Sequence, residues 1–217
     1  MRMARKVRTV VVGPFAVNCY LLFDEDTSDC LIIDPGADDD VIDYEVEQLA
    51  LVPKAILLTH GHGDHIAAVA AVKDKYDIPL YVGAGEEGLL ADPSANISAY
   101  FDSPIVAPTP DHAVTDEQTI RVGALTLKVL STPGHSPAGV CYLLEEEGVL
   151  FCGDTLFAGS IGRSDLPGSS HDLLMKSIHA KILTLPDAVV CLPGHGPATT
   201  VGAERTSNPF LTGEDFA

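Results

Sequence analysis

Four side chains that commonly bind metal ions fall within six residues of this sequence. They form an HxHxDH motif and are His60, His62, Asp64 and His65. In an extended backbone the first two histidines point to the same side, and Gly61 and Gly63 permit a tight turn that brings the other two round. Burying such groups without partners costs several kcal/mol. The motif therefore predicts a metal site rather than part of an apolar core.

Three further candidate ligands share a second pattern, because each follows a short apolar run and lies on or just behind a glycine. They are His135, Asp154 and His195. Each would be weak alone, but together they predict four loops bearing His or Asp at one edge of a pair of sheets. Imidazole and carboxylate groups suit zinc, and also iron or manganese.

Short β-branched runs separated by turn signals predict the elements that position these residues. Strands are expected at 9–12, 19–23, 30–33, 55–58, 78–82, 119–122, 125–130, 140–144, 149–152 and 188–192. Helices are expected after 38–40, at 66–76 and after Ser169, and four prolines predict an irregular crossing over 92–112. Hairpins with interspersed helices favour two sheets covered by helices over one parallel sheet.

Composition excludes several classes of function. The 217 residues include 13 Lys and Arg against 31 Asp and Glu, a net charge of −18. Nucleic acids and anionic membranes are therefore expected not to be partners. No apolar run approaches the ~18 residues of a membrane span. The five cysteines lack a CxxC pair, so a cytoplasmic protein with reduced thiols is expected. The sequence shows no linker and no repeats, so we expect one domain over 1–217.

Two other signals favour structural interpretations. The stretch 83–88 matches GxGxxG, but Glu86 and Glu87 would repel a dinucleotide's phosphates, so a turn is expected. Cys152 lies in an apolar run two residues before Asp154, and a buried neutral thiol is expected there rather than a nucleophile.

HxHxDH followed by single His, Asp and His resembles the metallo-β-lactamase-fold hydrolases over nearly the whole chain. The resemblance implies an α/β (α+β) fold, a four-layer αβ/βα sandwich of two mixed sheets flanked by helices. It also implies two divalent metal ions, with zinc as the first choice and iron or manganese as alternatives. One ion would bind His60, His62 and His135, the other Asp64, His65 and His195, and Asp154 would bridge them. Asp34, in an Ile-Asp-Pro-Gly turn, either supports these ligands from behind or is only a turn residue.

Within this family the sequence is most similar to short, single-domain bacterial relatives of glyoxalase II, the hydroxyacylglutathione hydrolases. Shared features are Gly-Asp-Thr-Leu-Phe at 153–157, Gly-Arg-Ser-Asp at 162–165 and Pro-Gly-His-Gly-Pro at 193–197. β-Lactamases usually carry Cys where this chain has Asp154. The implied substrate is a small thioester such as S-lactoylglutathione, attacked by a metal-bridging hydroxide with Asp64 and Asp154 as catalytic carboxylates. Only ~20 residues follow His195, so the C-terminal helical domain of full-length glyoxalase II is not expected.

Three alternatives remain open at this point. Arg163 either binds a substrate carboxylate or forms a loop salt bridge with Asp165. A mononuclear-iron persulfide dioxygenase of the same fold would use only His60, His135 and Asp154. The third alternative is a non-catalytic metal-binding protein.

Overall fold

Two six-stranded sheets make up most of the computed structural model, which describes residues 5–101 and 103–213. The first sheet runs β1 (Arg5–Val12), β2 (Val17–Asp24), β3 (Asp29–Ile33), β4 (Val52–Leu57), β5 (Leu80–Gly83) and β6 (His112–Val114), adjacent in that order. The later strands are β7 (Thr119–Val122), β8 (Leu125–Ser131), β9 (Val140–Leu144), β10 (Val149–Gly153), β11 (Leu156–Phe157), β12 (Ser160–Ile161), β13 (Val190–Pro193) and β14 (Thr199–Thr200). The second sheet has the order β14-β13-β10-β9-β8-β7, and β11 pairs with β12 as a separate hairpin.

Each sheet contains a parallel pair that positions candidate ligands. In the first sheet β3 and β4 are parallel, and in the second β10 and β13 are parallel. Parallel neighbours end at the same edge of a sheet, so the loops after them meet there. Antiparallel hairpins supply most of the remaining pairings, for example β1 with β2 and β8 with β9. The predicted mixed two-sheet architecture is confirmed.

The helices cover the outer faces of the sheets. They are α1 (Asp39–Gln48), α2 (Gly63–Ile66), α3 (Val69–Tyr76), α4 (Glu87–Ala91), α5 (His171–Ser177), α6 (Val201–Ser207) and α7 (Pro209–Thr212). Helices α1 and α3 pack on the first sheet and α5 on the second, giving four layers. Among the described residues, none of the helices is long and apolar enough to cross a membrane.

Strand β2 is apolar on both faces because both are buried. Cys19 and Leu21 face the core beneath α1 and α3, whereas Tyr20 and Leu22 face the core between the sheets. Full burial of a large apolar side chain contributes about 1.5–3 kcal/mol. The inter-sheet core holds the two sheets, and therefore their ligand-bearing edges, in a fixed relationship.

The helix predicted over 66–76 is interrupted. A separate turn, α2, ends at Ile66, and α3 begins only at Val69 because the amide of Ala68 donates to the carbonyl of Pro35, at 3.1 Å. Pro35 belongs to the Asp-Pro-Gly turn after β3, and this turn packs against α2. The helix is thus broken where the turn meets the HxHxDH segment.

Ser170, rather than Ser169, caps α5, which continues as one π-helical turn over Ile178–Ile182.

The crossing predicted over 92–112 is largely irregular in the residues that the structure describes there, 92–101 and 103–112, with one 3-10 turn at Ser98–Tyr100. Asn96 anchors it: the buried side-chain amide donates to the carbonyls of Leu89 and Ile105, at 2.9 and 3.0 Å. The carbonyl of Asn96 accepts the amide of Gly63 at 2.8 Å. The crossing is therefore attached directly to the HxHxDH segment.

Candidate metal centre

The ends of β3 and β4 fix the base of the site. Asp34, just after β3, is buried and has a left-handed backbone with φ of 51°. Its carboxylate accepts the amide of Thr59 at 2.8 Å and the Thr59 hydroxyl at 2.6 Å. Asp and Asn tolerate this conformation better than most residues. The Asp-Pro-Gly turn thereby holds the start of the HxHxDH loop.

One group of candidate ligands consists of His60, His62 and His135. All three are buried, and one ring nitrogen from each lies within 4.8 Å of the others. His62 Nδ1 and His135 Nε2 are 2.9 Å apart. His60 and His62 do lie on one side of an extended stretch, and His135 joins them from the loop after β8.

The second group consists of Asp64, His65 and His195. Asp64 Oδ2 lies 3.3 Å from His195 Nε2 and 3.9 Å from His65 Nε2. The turn at Gly63, which begins α2, brings Asp64 and His65 round as the sequence predicted. His195 follows β13, in the loop beside the end of β10.

Asp154 lies between the two groups. Its Oδ1 is 3.5 Å from His65 Nε2, and its Oδ2 is 3.6 Å from both His135 Nε2 and His195 Nε2. The carboxylate thus lies beside His135 of the first group and beside His65 and His195 of the second. The structure brings all seven sequence-predicted His and Asp side chains to one place.

Several atoms inside this cluster lack a hydrogen-bond partner. They are Nε2 of His60, His62 and His65, together with Oδ1 of Asp154, and all are buried. Unpartnered buried polar atoms are rare because each costs about 1–3 kcal/mol. Imidazole and carboxylate donors that converge in this way fit divalent cations of the zinc type. The donor set and its unsatisfied atoms are therefore what a metal site requires.

Acceptors behind the histidines fix the ring orientations. Asp34 Oδ2 lies 3.2 Å from His65 Nδ1, and the Thr59 hydroxyl lies 3.1 Å from His60 Nδ1. Such partners set the tautomer and basicity of metal-binding imidazoles. Asp34 thus occupies the supporting position that the sequence left open beside the interpretation as a turn residue.

Two more acceptors are main-chain carbonyls, which sequence reasoning missed. His135 Nδ1 lies 2.9 Å from the carbonyl oxygen of Arg163, and His195 Nδ1 lies 3.0 Å from that of Phe15. Any residue type supplies a carbonyl, so no sequence signal could have identified these two.

The surroundings shift the pKa values of the clustered side chains in different directions. Burial, reinforced by His135 and His65, lowers the pKa of His62 to about 3. Burial also opposes the charged form of His65, but the carboxylates of Asp64 and Asp154 outweigh it and raise the pKa of His65 well above its ordinary value. Burial opposes the charged form of Asp154 as well, but His65, and after it His135 and His195, hold the pKa of Asp154 below its usual range. His62 is therefore neutral at pH 7, whereas His65 carries a proton that a metal ion would displace.

The loop that carries His195 is held across the sheets by β2. The amide group of Asn18 donates to the carbonyls of Pro193 and Gly196, at 3.0 and 2.9 Å, and the Tyr20 hydroxyl donates to Pro193 at 2.6 Å. Asn18 and Tyr20 of the first sheet therefore fix the backbone on both sides of His195.

Gly194 lies directly against the side chains of two candidate ligands. A Cβ at this position would lie 2.2 Å from Asp154 Oδ1 and 2.6 Å from His65 Cε1. Both contacts are far inside van der Waals distance. Any side chain here would displace two candidate ligands.

Glu86 joins two ligand loops and was not foreseen in this role. It is fully buried, and its carboxylate accepts the amide of Gly61 at 2.9 Å and that of Ala138 at 2.5 Å. Burial raises the pKa of Glu86, while these amides and the Ser136 hydroxyl pull it back. The GxGxxG stretch forms the expected turn, but its acid points inward and ties the HxHxDH loop to the loop after His135.

A cavity of about 440 Å³ opens over the cluster. Five of the seven candidate ligands contribute to its lining, and the remaining walls are mainly apolar. Arg163 also borders it, but both arms of its guanidinium donate to Asp165 at 2.9 Å, and both side chains are exposed. The salt bridge that the sequence allowed is thus present.

Cys152 does not line this cavity; its thiol is buried, donates to the Leu156 carbonyl, and has its pKa raised by burial.

Comparison with known proteins identifies the family. The profile of the metallo-beta-lactamase superfamily matches residues 12–195. The chain is 43% identical to the probable metallo-hydrolase YqgX of Bacillus subtilis, covering 96% of this chain and 98% of that protein. It is 34% identical to the hydroxyacylglutathione hydrolase GloC of Haemophilus influenzae, over 94% and 97% of the two chains.

Solved structures agree in fold. BLEG-1, described as a B3 metallo-beta-lactamase, is 44% identical with a TM-score of 0.92, covering 95% of this chain and all of that one. TTHA1623, solved in a di-iron-bound form, is 35% identical with a TM-score of 0.82, covering 94% of this chain and all of that one. The chain therefore belongs to the metallo-β-lactamase superfamily of metal-dependent hydrolases.

Proposed function

We propose that the protein hydrolyses thioesters, S-lactoylglutathione among them, with two divalent cations held by the seven clustered side chains. The observation that carries the proposal is the position of Asp154, whose carboxylate lies 3.5–3.6 Å from histidines of both groups. The 34% identity to GloC supports thioesters as the substrate class.

His60, His62 and His135 would hold one cation, and Asp64, His65 and His195 the other, with Asp154 between them. When bound, the two cations would lower the pKa of a water molecule and polarise the substrate carbonyl. Water would add to the carbonyl carbon, the C–S bond would break, and a carboxylate and a thiol would leave. Asp64 and Asp154 offset the positive charge, while Asp34 and the carbonyls of Phe15 and Arg163 keep the imidazoles aimed inward.

The direct test is hydrolysis of S-lactoylglutathione by zinc-reconstituted protein. Asp154→Asn removes one carboxylate charge from between the groups, so we expect metal occupancy and activity to fall together, activity by more than about 100-fold. Asp74→Asn, an exposed change on α3, is the control and should leave both unchanged. Full metal content and full rate in Asp154→Asn would refute the bridging assignment.

β-Lactam hydrolysis is a second candidate, favoured by the 44% identity to BLEG-1. Asp154 in place of the Cys usual in β-lactamases argues against it, but the same cluster could direct water to a lactam carbonyl. Turnover of nitrocefin by the zinc-loaded protein, compared with S-lactoylglutathione in kcat/KM, ranks the two activities. A higher value for nitrocefin would make the β-lactam the better substrate class.

Metal count and identity separate both hydrolases from an iron oxygenase. TTHA1623 supports iron as an alternative metal. A mononuclear site on His60, His135 and Asp154 would leave four converging side chains without a part in metal binding. We therefore expect two metal ions per chain by elemental analysis, and no oxygen uptake with glutathione persulfide. One iron per chain with rapid oxygen uptake would replace the hydrolase proposal.

The proposed location is the cytoplasm. All five cysteines are free and buried, as expected where thiols stay reduced.

A further inference from the structure

The walls of the cavity over the cluster have a different chemistry from its base. His and Asp side chains form the base, whereas six apolar residues form much of the walls. These are Phe15, Ile97, Phe101, Phe157, Ile161 and Leu166. The first three come from the half of the chain that contains the first sheet, and the last three from the half that contains the second.

Two aromatic rings stand together on one wall. Phe15 and Phe101 have ring centroids 5.0 Å apart, yet Phe15 remains 50% exposed beside the cavity. An apolar ring left half in water gains free energy when a ligand covers it, at about 25 cal/mol per Å². This wall therefore offers apolar surface to whatever enters.

Ile97 is held in a strained conformation on the same wall. Its φ is 63°, and a β-branched residue rarely adopts the left-handed region. The neighbouring Asn96 keeps it there through hydrogen bonds to Leu89, Ile105 and Gly63. Strain of this kind persists where the surrounding structure enforces it, and it clusters at ligand sites. Here it places an apolar side chain in the cavity wall.

Positively charged side chains are scarce among the described residues that line the cavity. Of the described residues that line it, Arg163 alone is an Arg or Lys, and its guanidinium is engaged by Asp165. The chain as a whole carries a net charge of −18. On the walls, away from the cluster, an anionic end of a substrate would therefore gain little, whereas an apolar group would be buried between them.

We propose that this cavity binds an apolar acyl chain, so that the preferred substrates are thioesters of unbranched or aromatic apolar acids rather than of small hydroxy acids. The proposal rests on the proposed thioesterase function and adds its acyl specificity. The apolar walls select the acyl group, and the cluster at the base meets the carbonyl.

A series with one constant thiol tests the acyl preference. We would measure kcat/KM of the zinc-loaded protein for S-acetyl-, S-butyryl-, S-hexanoyl- and S-lactoylglutathione. The value is expected to rise roughly tenfold for each two methylenes buried, with S-lactoylglutathione near S-acetylglutathione. A flat or falling series would overturn the specificity while leaving thioester hydrolysis in place.

Binding of thioethers, which cannot be hydrolysed, separates this proposal from the function itself. By calorimetry, S-hexylglutathione should bind more than about tenfold tighter than S-methylglutathione. Equal affinities would overturn the apolar cavity. Chain-length-dependent binding without turnover of any thioester would support the cavity and refute the thioesterase.

Substitutions in the two walls test whether their apolar side chains cause the acyl preference. Phe101→Ala and, from the opposite wall, Phe157→Ala should each reduce the slope of the acyl series. Tyr100→Ala is the matched control, because Tyr100 adjoins Phe101 but is 86% exposed and does not line the cavity. Zinc content of every variant is measured alongside. An unchanged slope in both wall variants would overturn the assignment.

Discussion

The carbonyl oxygen of Phe15 lies 3.0 Å from Nδ1 of His195, while the ring of Phe15 forms part of the cavity wall. Arg163 has the same double position, because its carbonyl faces His135 Nδ1 and its side chain borders the cavity. In both residues the main-chain carbonyl faces a candidate ligand and the side chain borders the cavity. Side-chain substitutions at these positions should therefore change substrate binding without removing the support of the histidine.

Arg163→Ala tests this separation. The carbonyl that faces His135 remains, so we expect the zinc content to match that of the wild type. The exposed ion pair with Asp165 contributes little to stability because solvent screens it. Metal analysis and steady-state kinetics are the measurements. A rise in KM would indicate that the guanidinium contacts a substrate carboxylate, as the sequence suggested, whereas loss of zinc would contradict the main-chain role.

Gly194→Ala should weaken metal binding strongly. Its methyl group would overlap Asp154 Oδ1 and His65, so at least one candidate ligand must move. We expect zinc affinity to fall by more than about 100-fold, beyond the usual effect of disturbing a supporting residue. Gly88→Ala is the control, because a Cβ there meets no atom within 4 Å. Competition with a zinc indicator measures both, and wild-type affinity in Gly194→Ala would contradict the close packing.

Glu86→Gln should loosen the connection between two ligand loops. One acceptor oxygen becomes an amide group that faces a main-chain N–H, so a buried hydrogen bond is lost at a cost of about 1–3 kcal/mol. Urea unfolding should show this decrease in the free energy of unfolding, together with weaker zinc binding. Glu87→Gln changes the exposed neighbour and should shift neither by more than about 0.5 kcal/mol. Equal effects of the two substitutions would rule out the proposed connection.

Zinc binding should release protons and weaken as the pH falls. The pKa of His65 is raised by Asp64 and Asp154 against the opposing effect of burial, so this imidazole is protonated in the metal-free protein at neutral pH. A metal ion must displace that proton, so affinity increases with pH up to the raised pKa of His65. His62, with a pKa of about 3, contributes no proton at pH 7. Calorimetry in buffers of different ionisation enthalpy counts the protons released, and a count of zero would contradict this charge assignment.

Local patterns in the sequence predicted the candidate ligands and most strands, but not how separate segments meet. The HxHxDH spacing worked because Gly61 and Gly63 dictate the turn locally. The turn before Glu86 was predicted, but the role of Glu86 was missed because its amide partners, Gly61 and Ala138, lie far along the chain. Asn96 was missed for the same reason, since its contacts with Gly63 and Ile105 are set by packing. The helix break at Ala68 likewise depends on a distant carbonyl.

The candidate ligands are divided between the two sheets. His60, His62, Asp64 and His65 follow β4, whereas the other three lie in loops of the second sheet. A cation shared between them would act as a reversible cross-link between the two halves of the chain. Its binding would add about 4 kcal/mol to the free energy of unfolding at a free metal concentration of ~1,000 times Kd. Metal supply would then control how long the folded protein survives, as well as how fast it works, and a chelator would lower its melting temperature.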